Sequence, residues 1–500
     1  MKNRILYIFL AFFLVTSCSE DYLDKSPTSA ISKTDLGDAI KQNPLVSDGT
    51  LRGLFALLQQ SGTGGTSSAH EDFGIKSYDI STDIVSGDIA IRSRGYAKFW
   101  DDELLESVKR TNNQTYRAWR FHYRVILAAN NLIASSGTEE APSEGNETTW
   151  AQAKALRAFM YYKLTVIYGK GWAYKADKIL PLGLIDDLGK ALPKSSLEDV
   201  LTQSKKDLEL TLPHLKGYER ESKANIDENV AKGMLSYVCL AMEDFETAKK
   251  YSQEVIDAIG SNMMTASDVY NSGFRDLGIS GFMWGVEVNT ENTTKIASYF
   301  AMMDYFTYGY ATTGDRKLMD KGLYDQIHKD DIRKYQFYSN YGSALGGLAY
   351  YKFWHSDRVP DGDKKWEADY YFMRVTEMYL INAEAKAFLG DAEGAETVLN
   401  NLIAQRYAKD VTSVVNNEKV TEATTAPTYD MSDIKKAVNL QWRIEMWGEG
   451  KSYGVLRRFK YDSKRGPHHN HKPNTSIPYD SDEITFEIPE NEVLNNPFMD

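Results

Sequence analysis

Two stretches of this chain follow the same plan, and that repetition limits its fold more than any other feature. Asn229 to Ala258 contains Ala241-Met-Glu-Asp-Phe-Glu-Thr-Ala248, and Met373 to Tyr407 contains Phe388-Leu-Gly-Asp-Ala-Glu-Gly-Ala395. In each, a helical pattern runs into a short acidic turn and a second helix opens with alanine. The small residues Ser236 and Ala383 stand twelve positions before Ala248 and Ala395. Small side chains at both positions predict two helical hairpins whose axes cross at close range.

Other helices are written in the same period. From Thr111 to Ser135, Trp119, Tyr123, Ile126, Leu127 and Asn130 recur at helical steps. From Thr149 to Tyr168, Ala151, Ala155, Ala158, Phe159, Tyr162 and Val166 share one face before Gly169 and Gly171 stop it. Both read as amphipathic, and they should pack as antiparallel neighbours. A further helix starts near Leu45 and runs toward Gln60, ahead of a Gly/Ser/Thr loop from Ser61 to Ser68. The expected fold class is mostly α, with tetratricopeptide-like pairs. Residues 261–372 interrupt it: Phe274, Phe282, Trp284, Tyr299, Phe300, Tyr305, Phe306, Tyr308 and Tyr310 are interleaved with Gly, Ser, Asn and Thr, and no helix period fits. This is an aromatic-rich insertion, long enough to need a function or its own structure. The last part, from Lys464 to Asp500, carries five prolines and reads as an ordered coil on the helical body.

The N-terminus predicts location. Lys2 and Arg4 precede an apolar run from Ile5 to Val15, and Leu14-Val15-Thr16-Ser17-Cys18 sets small residues before a cysteine. Residues 1–17 read as a lipoprotein signal peptide, removed to leave Cys18 as a lipidated first residue. Residues 18–44 form a tether with turn signals at Pro27 and Pro44, and 45–500 a single helical domain. Removing residues 1–17 takes the basic count from 58 to 56 against 70 acidic residues, a net charge of −14. That balance argues against nucleic acid as a partner, since phosphate binding needs clustered Lys and Arg. Cys239 is the only other cysteine. With Cys18 lipidated no internal disulfide can form, and stability must come from a large core. No second apolar run approaches the roughly 20 residues of a membrane helix, so the expected membrane contact is the lipid alone.

The chain shows no GxSxG, HExxH, Walker A or dinucleotide glycine motif. His468-His469-Asn470-His471 crowds three imidazoles into a loop without the fixed geometry of a catalytic ion site. Asp361-Gly-Asp363, and Asp83 with Asp88, lack a full calcium loop and read as solvated acidic turns. Glu445 and Glu449 are four apart on a predicted helix, hence on one side, whereas the carboxylates of a glycosidase flank the scissile bond from opposite sides. Arg443, Glu445 and Glu449 are expected to form a partly buried ion network. The chain is read as a non-enzyme without a cofactor.

Five ordered segments together resemble the SusD/RagB family of outer-membrane nutrient-binding lipoproteins: Cys18-Ser-Glu-Asp-Tyr-Leu-Asp-Lys-Ser-Pro-Thr-Ser-Ala-Ile31; Ala155-Leu-Arg-Ala-Phe-Met-Tyr-Tyr-Lys-Leu164 with Tyr168-Gly169; Tyr371-Phe-Met-Arg-Val-Thr-Glu-Met-Tyr-Leu-Ile-Asn-Ala-Glu-Ala385; Arg443-Ile-Glu-Met-Trp-Gly-Glu-Gly450; and Ile488-Pro-Glu-Asn-Glu-Val-Leu-Asn-Asn-Pro497. Ser19-Glu20-Asp21 is similar to the export tag of surface-exposed lipoproteins. The resemblance implies helical pairs scaffolding a loop-rich face that binds an oligosaccharide, or peptides in the RagB branch. It also implies a lid role over a SusC-like TonB-dependent transporter and a place on the outer membrane facing the cell exterior. Ligand sites in the family come from the region after the first helix and from the central insertion. Residue type and place in those regions point to Tyr78, Asp83, Arg94, Tyr96 and Trp100, and to Trp284, Tyr305, Tyr308 and Tyr310. Rings would stack on sugar C–H faces while Asp83 and Arg94 bond hydroxyls.

Overall fold

A short helix, α1 (Pro44–Ala56), leads through a turn into α2 (Ile75–Val85), every residue of which is buried. The helical body then runs α3 (Asn113–Ser136), α4 (Glu147–Tyr168), α5 (Leu197–Leu215), α6 (Glu228–Ala241), α7 (Phe245–Ile259), α8 (Val375–Phe388) and α9 (Ala392–Ala404). Each of these from α3 onward packs against the next, as in a stack of helical hairpins. Helices α10 (Ile434–Glu445), α11 (Ser452–Phe459) and α12 (Glu490–Asn495) close the chain. The computed structural model describes residues 39–40, 44–66, 69–354, 364–408 and 426–499. Cys18, the signal peptide, most of the tether and Asp361-Gly-Asp363 lie outside the described residues.

The two hairpins read from sequence are present with the expected turns. Asp244 and Asp391, the acids of those turns, are the N-caps of α7 and α9: their carboxylates accept from the backbone N–H of Thr247 at 3.2 Å and of Gly394 at 2.9 Å. Ser236, Ala248, Ala383 and Ala395 are all fully buried. Helices α7 and α8 are also neighbours, and Phe245 stacks on Phe388 at 4.7 Å where the hairpins meet.

Helices α3 and α4 are antiparallel: Tyr168 at the end of α4 donates to the carbonyl of Thr115 near the start of α3 at 2.7 Å, and Arg157 donates to Asn130 at 2.8 Å. The expectation that α4 is amphipathic is corrected. With α3 on one side and α5 on the other, nearly all of it from Thr149 to Tyr168 is buried. Its charges are neutralised inside: Arg157 pairs with Asp207 and Glu139, and Lys163 with Asp79.

Among the described residues, four two-stranded antiparallel pieces decorate the helices: β1 (Ile89–Ala90) with β5 (Leu318–Met319), β2 (Lys178–Pro181) with β3 (Lys194–Ser196), β4 (Phe282–Val286) with β6 (Tyr370–Arg374), and β7 (Ser463–Arg465) with β8 (Thr475–Ile477). The insertion is therefore structured, and most of its rings are core. Phe274, Phe282, Trp284, Tyr299, Phe300 and Phe306 are each at most 3% exposed.

Helix α10 stops at Glu445, so Glu449 is not on it; Gly448, in the left-handed region at φ 77°, turns the chain back. Both carboxylates still meet, because both grip Arg374: Glu445 from Oε1 at 3.0 Å and Glu449 from Oε2 at 2.9 Å. Arg406 and Arg333 add to Glu445 at 2.9 and 3.1 Å, and Lys352 to Glu449 at 2.9 Å. The network is fully rather than partly buried. Arg443 is not part of it and pairs with Asp88.

Together with two other buried carboxyls, Asp83 and Asp102, the network sets a pH optimum. Burial alone works against the charged form of Glu445, yet Arg406 and Arg374 hold its carboxyl well below the usual range, and Arg374 and Lys352 lower Glu449 in the same way. Such groups stabilise the fold above their unfolded values, and the contribution is lost as pH falls through the lower folded ones. Burial instead pushes Asp83 up to about 8 and Asp102 to about 7, so stability from these two rises as pH falls from that range toward ordinary carboxylate values. The melting temperature is expected to peak near pH ~5 and fall on both sides. A scan that climbs steadily to pH ~8 contradicts this assignment.

Candidate functional site

Strand β1 sets the base of the site. Its antiparallel pairing, Ile89 opposite Met319, joins the region after α2 to the insertion, and the chain then leaves as a loop from Ile91 to Phe99. This loop contains three left-handed positions, Gly95 at φ 41°, Ala97 at 64° and Phe99 at 60°, two of them strained for side chains with a Cβ. Packing from the insertion holds it. Asp315 accepts from the Tyr96 N–H at 3.0 Å, Ser93 donates to the Gly314 carbonyl at 2.8 Å, and Arg92 donates to the Ser343 carbonyl at 2.6 Å. A Cβ on Gly95 would lie 2.5 Å from Asp315 Oδ1, which accounts for glycine there. Beneath the loop, Lys317 lies over the Phe99 ring, and burial lowers its ammonium to about 8.

Held this way, the loop presents Tyr96, 66% exposed, edge-on to Tyr310 with ring centres 5.8 Å apart. Tyr310 is steadied by a hydrogen bond between its hydroxyl and His70 Nδ1, and by Lys98, whose ammonium lies 5.2 Å from the ring centre. Lys98 is itself paired with Glu71. In the same insertion segment, Tyr305 lies 5.7 Å from the Arg316 guanidinium and 6.0 Å from Tyr350, which in turn faces the exposed Tyr338. Tyr308 is also exposed; its carbonyl accepts from Trp366 at 2.8 Å and Lys364 sits over its ring. Arg94 is exposed on the same loop, and its guanidinium has no partner among the described residues. The face thus offers flat apolar surfaces bordered by cations, while the nearby carboxylates Glu71 and Asp315 are engaged in holding it together.

Of the expected site residues, the structure brings together Tyr96 and Tyr310, with Tyr305 and Tyr308 from the same insertion segment and Arg94 from the same loop as Tyr96. Four others are placed elsewhere. Tyr78 is core, its hydroxyl donating to the Arg117 carbonyl at 3.1 Å. Asp83 is buried and accepts from the N–H groups of Gly450 and Ser452 at 2.9 and 3.1 Å, so it has no lone pairs facing solvent. With Asp88 held by Arg443, neither aspartate is a solvated turn. Trp284 is 0% exposed and donates to the Ala224 carbonyl at 3.0 Å. Trp100 is half-buried against the core at the start of a short helix, Trp100–Glu103. Sequence reasoning passed over His70, Lys98, Arg316 and Tyr350. Tyr350 lies in the aromatic-rich insertion, beyond the rings singled out there, and nothing local marked His70 as the support of a tyrosine 240 positions away.

The histidine cluster has a structural role. His469 is buried with Nδ1 facing the Glu103 carboxylate at 3.2 Å and Nε2 facing the Gly87 carbonyl at 3.1 Å. Glu103 also receives Arg465 and the N–H of Ile91. The base of the Tyr96 loop is therefore bolted to the C-terminal coil.

The SusD family model matches residues 298–497. A SusD-like protein of Bacteroides ovatus is 25% identical over 286 residues, which is 53% of this chain and 46% of that protein, so the match spans less than half of the relative's length. Both matches point to the SusD/RagB family. Solved SusD structures share its architecture: a SusD-like carbohydrate binding protein of Bacteroides vulgatus superposes with a TM-score of 0.73 at 23% identity, covering 91% of this chain and 96% of that one. A SusD superfamily protein of Bacteroides thetaiotaomicron gives 0.72 at 18% identity, covering 91% and 98%. The mostly helical body with a loop-rich face is thus the SusD fold. No helix among the described residues is long and apolar enough to cross a membrane.

Proposed function

We propose that the face built on Tyr96, Tyr305, Tyr308 and Tyr310, with Arg94 beside it, captures an oligosaccharide outside the cell and passes it to a SusC-like TonB-dependent transporter. In this reading the chain is anchored in the outer membrane by a lipid on Cys18, residues 45–500 work as one unit, and no bond in the ligand is broken. The observation that carries it is the Tyr96–Tyr310 pair, two rings from distant segments held in fixed relation with one of them two-thirds exposed. Exposing a large ring on a strained loop gains the fold nothing, whereas pyranose C–H faces stack on such rings. The sugar-binding relative of Bacteroides vulgatus supports the choice of ligand class.

Each ring stacked on a sugar is worth about 1 kcal/mol. The Tyr96→Ala/Tyr310→Ala double variant is therefore expected to bind its oligosaccharide about thirtyfold more weakly while still unfolding cooperatively. Calorimetry against a panel of neutral and acidic oligosaccharides tests this. Silence across the panel with heat on adding peptides would move the protein to the peptide-binding branch, and release of reducing ends would make it a hydrolase. Fatty-acid labelling that marks the chain but not a Cys18→Ser variant tests the anchor.

A further inference from the structure

A second groove shares no residue with the Tyr96 face. It is a cavity of about 740 Å³ between α3, the loop from Pro181 to Leu192, and α12. Its floor is aromatic and fixed: Trp119 and Tyr123 lie 4.8 Å apart, Tyr123 donates to the Pro181 carbonyl at 2.7 Å, and Tyr161 donates to the Gly183 carbonyl at 2.8 Å. Tyr123 is only half-buried, so part of the ring faces the groove.

The rim of the groove is unusual for a chain of net charge −12. Arg120 and Arg124 stand one turn apart on α3, both exposed, a repulsive arrangement on a helix surface. Neither has a carboxylate partner among the described residues. Arg120 donates to the Tyr116 hydroxyl at 2.8 Å and Arg124 to the Thr63 carbonyl at 3.3 Å, which leaves most of their N–H donors unused. The backbone is shaped around the first of them. Gly65, at φ 90°, approaches so closely that a Cβ there would lie 2.5 Å from Arg120 Nε. The two acids on the other walls have partners within the groove: Asp187 accepts from the Leu184 N–H at 3.2 Å and lies 4.0 Å from the Lys190 ammonium, and Glu492 accepts from the Asn496 amide at 2.9 Å. On the α12 side, Asn491 and Asn495 are exposed along the groove; Asn495 Nδ2 donates to the Asn491 carbonyl at 2.6 Å, which leaves its amide oxygen and the Asn491 side chain to meet a ligand.

We infer that this groove is a second carbohydrate site, selective for an acidic sugar. The Arg120 and Arg124 guanidiniums receive the carboxylate of a hexuronate, Tyr123 takes the face of its ring, and the Asn491 and Asn495 amides reach its hydroxyls. The volume fits one or two sugar units, so the site selects for a charged unit within a longer chain. It does not depend on the Tyr96 face binding the same polymer.

The test is calorimetry on the mature chain with three probes, trigalacturonate, a mannuronate trimer and a hyaluronan tetrasaccharide. At least one is expected to bind, to weaken about tenfold or more in the R120Q/R124Q variant, and to weaken on raising salt from about 50 to about 500 mM. The exposed substitution Asn495→Trp, which fills the groove from its far wall, should weaken it similarly. The Tyr96→Ala/Tyr310→Ala variant should bind it as the parent does. Binding of none of the three, or loss only when Tyr96 and Tyr310 are removed, overturns the inference. Neutral oligosaccharides lost only in the tyrosine variant would leave the first face standing whatever happens here.

Discussion

Replacing Glu445 with leucine is expected to cost the fold about 3–5 kcal/mol, because it leaves guanidiniums buried without their counter-charge. Arg374, Arg333 and Arg406 all converge on this carboxylate at 2.9–3.1 Å, and all three are at most 1% exposed. Arg374 keeps Glu449 and Arg333 keeps Asp331, whereas Arg406 retains only carbonyl and hydroxyl partners. The loss should therefore be largest in the Glu445 variant and smaller in a Glu445→Leu/Arg406→Leu double, which removes the orphaned cation too. Urea denaturation midpoints of the three proteins measure this. A drop below about 1 kcal/mol for Glu445→Leu would mean the network is solvated in solution.

The second large effect concerns Trp284. Trp284→Ala should destabilise the protein by about 3–5 kcal/mol through the cavity it opens. The indole packs against Phe159 at 5.6 Å and Phe372 at 4.9 Å, and its N–H is already satisfied by Ala224. The folded fraction should still bind ligand at the Tyr96 face. The reverse outcome, unchanged denaturation with lost binding, would return Trp284 to the ligand site and contradict its burial.

These two residues also show where reading the sequence succeeds and where it stops. The α6–α7 and α8–α9 hairpins were legible because their cues are local: small residues at the crossing and an acid that caps the next helix. Helix α2 carries no such cue. Buried on all sides with Lys76, Asp79 and Asp83 inside it, it has neither a polar face nor an apolar stripe to read. Helix α5 is absent from the expected set, although Leu201, Leu208 and Leu215 recur on its buried side. At the candidate site, loop position marked Tyr96, Tyr305, Tyr308 and Tyr310 as surface rings, and it marked Trp284 equally. What separates them is that Trp284 sits on β4, paired antiparallel with β6. That partner lies beyond a stretch of sequence with no readable period. The Glu445–Glu449 spacing misled in the same manner, since the turn at Gly448 ends the helix on which it was counted.

The bolt at Glu103 has a consequence for how the molecule is made. Glu103 and Arg465 are separated by 362 positions, and the short segment carrying Tyr96 leaves directly from the strand that Glu103 helps to hold. During synthesis, the face around Tyr96 stays unfinished until Arg465 has emerged. A chain cut short after α11 would keep its helical hairpins but lack Arg465 and His469, the residues that pin Glu103 beneath the Tyr96 loop.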